Sequence, residues 1–140
     1  MRGIRHMASW VLALFLAFMF LWIADVMVFP ATQAKNVVFP LLVENSGIAL
    51  WEPTGRALTG LLHVVTVLLL VLPFTRRAGA ILAFLVALAA VLAQVLWLGI
   101  SIPLEIGSPE TDGGQLFYLS LALLAASLLL IFVHPGRAKG

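Results

Sequence analysis

Cysteine is absent from all 140 residues, which excludes disulfides, thiol redox chemistry, iron–sulfur clusters and thiolate zinc sites in one step. Charge is scarce: 10% of the residues are charged, against roughly 25% in ordinary soluble domains. No continuous basic stripe exists, because the Lys and Arg residues are divided among the ends of apolar runs. The pI near 9.7 therefore does not point to nucleic acid. Metal-ligand spacing is missing too, since no His-x3-His or Glu-x-x-His pair occurs. Haem held by two histidines would need a second His beside His63, and none lies within an apolar run. There is neither a Ser–His–Asp order nor a glycine-rich phosphate loop. Any redox role has to work through a bound small molecule or a partner protein.

What fills the chain instead is apolar: 63% of the residues are hydrophobic and the mean hydropathy is +1.14, too high for a soluble domain. Four stretches reach membrane-spanning length, at residues 7–29, 57–74, 78–100 and 115–133. The expected fold is all-α: a single membrane domain over residues 1–140, built as a bundle of four transmembrane helices. The third stretch organises it. Gly79, Ala83, Ala87, Ala90 and Gln94 fall on one helical face, a stripe of small residues that lets a neighbouring helix come close and ends in an amide needing a partner. The first stretch is longer than the roughly 7–15 residues of a signal-peptide core, so it reads as a span.

Charges set the orientation. Arg2, Arg5, Arg76, Arg77, Arg137 and Lys139 fall on one side of a four-span arrangement, whereas Lys35 and Arg56 fall on the other. The bias predicts cytoplasmic termini and a cytoplasmic middle turn. All six acids lie at or beyond the opposite face. The outer connection between the first two spans is half apolar and broken by Pro30, Pro40, Gly47 and Pro53. Its pieces at 37–43 and 48–51 are expected to lie on or dip into the interface, with Trp51 at headgroup level. The second outer connection is acidic and turn-rich, and Gly113 and Gly114 suit a tight turn before the last helix.

Depth sorts the polar side chains. Asp25 lies ~27 Å along the first span, His63 ~10 Å below Arg56, and Gln94 ~24 Å up the third span. Tyr118 and Ser120 occupy the first two turns of the fourth. All sit toward the outer side, over a cytoplasmic half expected to be almost entirely Leu, Val, Ala and Phe. Arg56, Thr59 and His63 share one helical face. Ionisable groups at such depth usually face the bundle interior or a wet cavity. One reading is an outward-open ligand pocket lined by Asp25, Arg56, Thr59, His63, Gln94 and Tyr118. The other is structural: Asp25 pairs with Arg56 or His63 to fasten two helix ends, and Gln94 bridges helices by a hydrogen bond. His6 and His134 stand at the cytoplasmic helix ends and read as headgroup-facing.

The order of these features resembles the DoxX-like group of small bacterial four-helix membrane proteins. The resemblance is carried by FLAFMFLWIADVMVF in the first span and by PLLVENSGIALW in the outer connection. It continues through TGRALTGLLHVVTVLLLVLPFTRRAGAIL and the start of the last helix, GSPETDGGQLFYLSLALL. Members often carry Lys before the phenylalanine that closes the first span, where Val28 stands here, and many have Glu near the position of His63. The resemblance implies a multi-pass protein of the bacterial inner membrane whose relatives accompany membrane oxidoreductases or oxidative-stress systems. It implies a non-catalytic accessory or scaffold subunit, in contact with the lipid bilayer and with a membrane-protein partner or further copies of itself. Its surfaces would be the small-residue face of the third span and Ala122, Ala125 and Ala126 on the fourth. The alternative is a binding protein for a quinone or other small amphiphile in the outer pocket. No metal site and no nucleic-acid partner are expected.

Overall fold

The computed structural model describes residues 2–24, 38–51, 54–103 and 109–133. Among them are five helices: α1 (Arg2–Ile23), α2 (Val38–Ser46), α3 (Thr54–Val71), α4 (Arg76–Ala93) and α5 (Gln115–Val133). A wide π-turn, Gln94–Leu98, prolongs α4. Four of these helices are long and apolar enough to cross a bilayer. Their outer faces are covered with exposed Leu, Val, Ile and Phe, as lipid contact requires. The chain is an all-α, multi-pass membrane protein. The last helix coincides with the expected 115–133 stretch, and α3 and α4 begin at Thr54 and Arg76, a few residues ahead of expectation. α3 stops at Val71, two residues before Pro73, because the residue preceding a proline resists helical geometry.

The four spans form a ring in which α1 packs against α3 and α5, and α4 closes the other side against the same two. Neighbours run antiparallel. Arg5 near the start of α1 donates to the Phe132 and Val133 carbonyls at the end of α5, each at 3.2 Å. One end of the bundle thus holds the start of α1, the end of α5 and the short α3–α4 turn; we call it the turn end. The other, the loop end, carries α2 and the α4–α5 connection.

Small residues decide how tightly the ring closes. A Cβ placed on Gly79 would lie 2.8 Å from the Leu70 backbone nitrogen and 2.9 Å from the Leu69 carbonyl carbon, so α3 and α4 touch backbone to backbone at this point. Ala80, Ala83 and Ala87 continue the buried face, and with Leu16, Phe20, Leu70, Leu123 and Leu130 they form the main apolar core. A second, smaller core sits at the loop end, where Ala24, Leu42, Leu98, Ile102 and Leu116 meet beneath Trp51 and Trp97.

Sequence depth suggests a greasy turn-end half, and the structure corrects that picture. Arg76, Ser9, Thr66 and Ser127 are all fully buried there. The hydroxyls of Thr66 and Ser127 donate to carbonyls of their own helices, so they pass as apolar in a composition count. Arg76 is a different matter. Its Nε donates to the Leu70 carbonyl at 2.9 Å, one terminal nitrogen to the Val71 carbonyl at 3.4 Å, and the other to Ser9 Oγ at 3.1 Å. Its guanidinium also lies 3.9 Å from the centre of the Trp10 ring. Thr75 Oγ1 donates to the Leu69 carbonyl at 2.9 Å. The turn therefore caps the carbonyl end of α3 with its own next two side chains, where water is scarce. Arg76 is a helix cap before it is a headgroup anchor.

The loop end is tied down by α2 and by Asp112. Asn45 on α2 donates to the Trp97 carbonyl at 2.7 Å, and Trp51 donates through Nε1 to Ser46 Oγ at 3.0 Å while meeting Trp97 edge-on. The expected interfacial pieces are thus α2 and a short 3-10 turn, Ala49–Trp51, laid across the end of the bundle. Asp112 accepts from the backbone nitrogens of Ile102 (3.0 Å), Gly114 (2.9 Å) and Leu116 (3.1 Å). Its carboxylate caps the positive end of α5, and Gly114, with φ of 89°, supplies the left-handed turn that only glycine adopts without strain.

Candidate functional site

Between the two cores the ring does not close completely. A cavity of about 190 Å³ is left in the loop-end half of the bundle, walled by α1, α3, α4 and α5 and roofed by Leu42 of α2 and Trp51. By helix rise, His63 lies ~14 Å inward from the start of α3 and Ser120 ~8 Å inward from the start of α5. Gln94 reaches it from the π-turn, a widened turn of the kind that often marks functional positions. Leu62 on α3 and Ala89 on α4 line the cavity and are also exposed.

His63 is 5% exposed and held from two sides. Its Nδ1 lies 2.7 Å from the Thr59 carbonyl oxygen. A carbonyl can only accept, so Nδ1 carries the hydrogen and Nε2 is an acceptor in the neutral ring. From α1 the edge of Phe20 packs on the imidazole, ring centres 5.1 Å apart, which fixes its rotation. The Thr59 hydroxyl donates to the Gly55 carbonyl at 2.7 Å.

Gln94 is 1% exposed. Its amide nitrogen donates to Ser120 Oγ at 3.1 Å, and Ser120 passes its own hydrogen to the Leu116 carbonyl at 2.8 Å. This chain orients the amide, because a serine that has given away its one hydrogen must accept from Gln94. Gln94 Oε1 is left as the one buried side-chain polar atom, among the described residues, with no hydrogen-bond partner. Each such atom costs about 1–3 kcal/mol.

Of the residues singled out from the sequence, Thr59, His63 and Gln94 line the cavity together. Arg56 is half-buried one turn nearer the loop end and is not part of the wall. Tyr118 is 63% exposed and packs near Gly114. Asp25 lies outside the described residues. Gly79, Ala83 and Ala87 are buried within the chain's own bundle, and Ala87 and Ala90 line the cavity. Ser120 is the polar residue that a reading by depth alone does not single out. Tyr118 and Ser120 are two positions apart, about 200° around a helix, so they cannot face the same way; Leu116, Ser120, Leu123 and Ser127, at helical spacing, mark the inner face. No group of His, Asp and Glu arranged to hold a metal ion occurs among the described residues. Comparison with protein-family models, curated proteins and solved structures found no match.

Proposed function

We propose that this protein binds a small, mostly apolar molecule in the cavity between the loop-end halves of its spans. The observation that carries the reading is a mostly apolar cavity of about 190 Å³ whose wall includes the buried polar residues His63, Gln94 and Ser120. Buried polar groups in lipid are satisfied or functional. A cavity of about 150 Å³ takes benzene, so this one suits a single substituted ring, such as a small amphiphile or the head of a quinone. In this reading the protein is a binding component and not itself a catalyst. It resides in a bacterial inner membrane with both termini cytoplasmic, which rests on the Lys/Arg bias and on the resemblance to the DoxX-like group.

A second reading, an accessory subunit of a membrane oxidoreductase or stress-response complex, is favoured by one observation. Ala122 and Ala125 are exposed on α5, a surface onto which another helix could pack closely. The Gly79–Ala87 face is already occupied by the chain's own helices.

The test uses the full chain in lipid nanodiscs, titrated with 4-bromotoluene while tryptophan emission is recorded, since Trp51 lines the cavity and bromine quenches by contact. A saturable component with one site per chain, lost in Ala90→Phe, is expected. Quenching that merely follows partition into lipid, identical in wild type and Ala90→Phe, overturns the proposal. The native mass of the same sample distinguishes the accessory reading, which requires a second protein at fixed stoichiometry.

A further inference from the structure

Resting on the binding reading above, the geometry points to the chemical class of the ligand: a neutral molecule that donates hydrogen bonds, a phenol or hydroxylated ring, in preference to one that only accepts them. Most polar hydrogens on the cavity wall are already committed. Trp51 has given its N–H to Ser46 Oγ. Thr59 has given its hydroxyl hydrogen to the Gly55 carbonyl, and Ser120 its own to Leu116. The Nδ1 hydrogen of His63 goes to the Thr59 carbonyl. Every one of these donors is directed back into its own helix or a neighbouring turn. Gln94 is 1% exposed and its Oε1 is sealed from the cavity, so what remains for a ligand is one acceptor, the Nε2 lone pair of neutral His63.

The imbalance has a chemical consequence. A hydroxyl can donate to His63 Nε2. A ketone or ether of the same size sets its oxygen lone pairs against the wall's own. For a redox pair such as a quinone and its hydroquinone, the wall is matched to the hydroxyls of the reduced form. Specificity of this sort is larger than a methyl group's worth, because the wrong ligand leaves a buried imidazole nitrogen unanswered.

The experiment competes 4-ethylphenol and 4-ethylanisole against 4-bromotoluene in nanodiscs. The two competitors share ring and tail and differ in whether the oxygen carries a hydrogen. Affinities are corrected for partition into the bilayer by subtracting the Ala90→Phe response. 4-Ethylphenol is expected to bind at least about tenfold more tightly, the equivalent of ~1.4 kcal/mol. In His63→Phe, which retains the ring packing against Phe20 and removes the acceptor, that ratio falls toward one while 4-bromotoluene still binds. Gln94→Met, which keeps the chain's length, is the control and should leave the ratio unchanged. Equal binding of phenol and ether in the wild type, or tighter binding of the ether, overturns the donor assignment and leaves the cavity reading in place. A ratio unchanged in His63→Phe also overturns it. Failure of 4-bromotoluene itself to bind saturably is the separate result that removes the cavity reading.

Discussion

Consider replacing Arg76 by methionine, which keeps most of the unbranched stem and removes the guanidinium. Three hydrogen bonds disappear, two of them to the Leu70 and Val71 carbonyls that close α3, together with the stacking on Trp10. Hydrogen bonds to charged groups are worth about 1.5–3 kcal/mol each, and a buried cation over an aromatic ring about 0.5–2 kcal/mol. Against that total stands the cost of holding a guanidinium out of water, several kcal/mol in its own right. The lost contacts and the recovered solvation oppose each other, so the net loss is much smaller than the sum of contacts. What nothing offsets is the pair of carbonyls left without a partner at a helix end, at roughly 1–3 kcal/mol between them after relaxation of the turn. A loss of about 2–3 kcal/mol is expected, or a factor of roughly 30–150 in the unfolding equilibrium. Reversible unfolding in mixed micelles, followed by circular dichroism, measures it. Arg77→Met supplies the control, since Arg77 is exposed at the adjacent position and should change stability by less than about 0.5 kcal/mol. If Arg76→Met is no worse than Arg77→Met, the capping account is wrong and Arg76 is an anchor like its neighbour.

Two further outcomes test the frame around the cavity. Asp112→Ala removes the acceptor for three backbone N–H groups. It should cost about 1–2 kcal/mol and speed hydrogen exchange at the Ile102, Gly114 and Leu116 amides; unchanged exchange there would contradict the cap. Gly79→Leu forces a side chain against the Leu69–Leu70 backbone and should destabilise the bundle by more than about 2 kcal/mol. Gly3→Ala, which meets nothing within 4 Å, should leave stability nearly unchanged.

The segment Asp112-Gly113-Gly114 is a capping device in the structure: an aspartate at the head of α5 and two glycines with positive φ. Such a motif reports how the last helix begins.

The amino-acid sequence alone indicated four spans and placed three of their starts within three residues of α3, α4 and α5. α1 begins at Arg2, five residues ahead of the expected 7, and the expected end at 29 lies outside the described residues. Spans are legible in this way because lipid offers no hydrogen-bond partner to a backbone, so any apolar run of about 20 residues must become a helix. It also pointed to Thr59, His63 and Gln94 as polar groups at one depth. Only the tertiary structure decided how each helix is turned about its axis. A span that is apolar on every side carries little mark of its inner face, so the pattern could not say that Ser120 and not Tyr118 meets Gln94. Arg76 and Arg77 show the same limit at its sharpest: identical neighbours, about 100° apart on one helix, one sealed inside the bundle and the other exposed. Residue type set their charge, and packing against α1 set their roles.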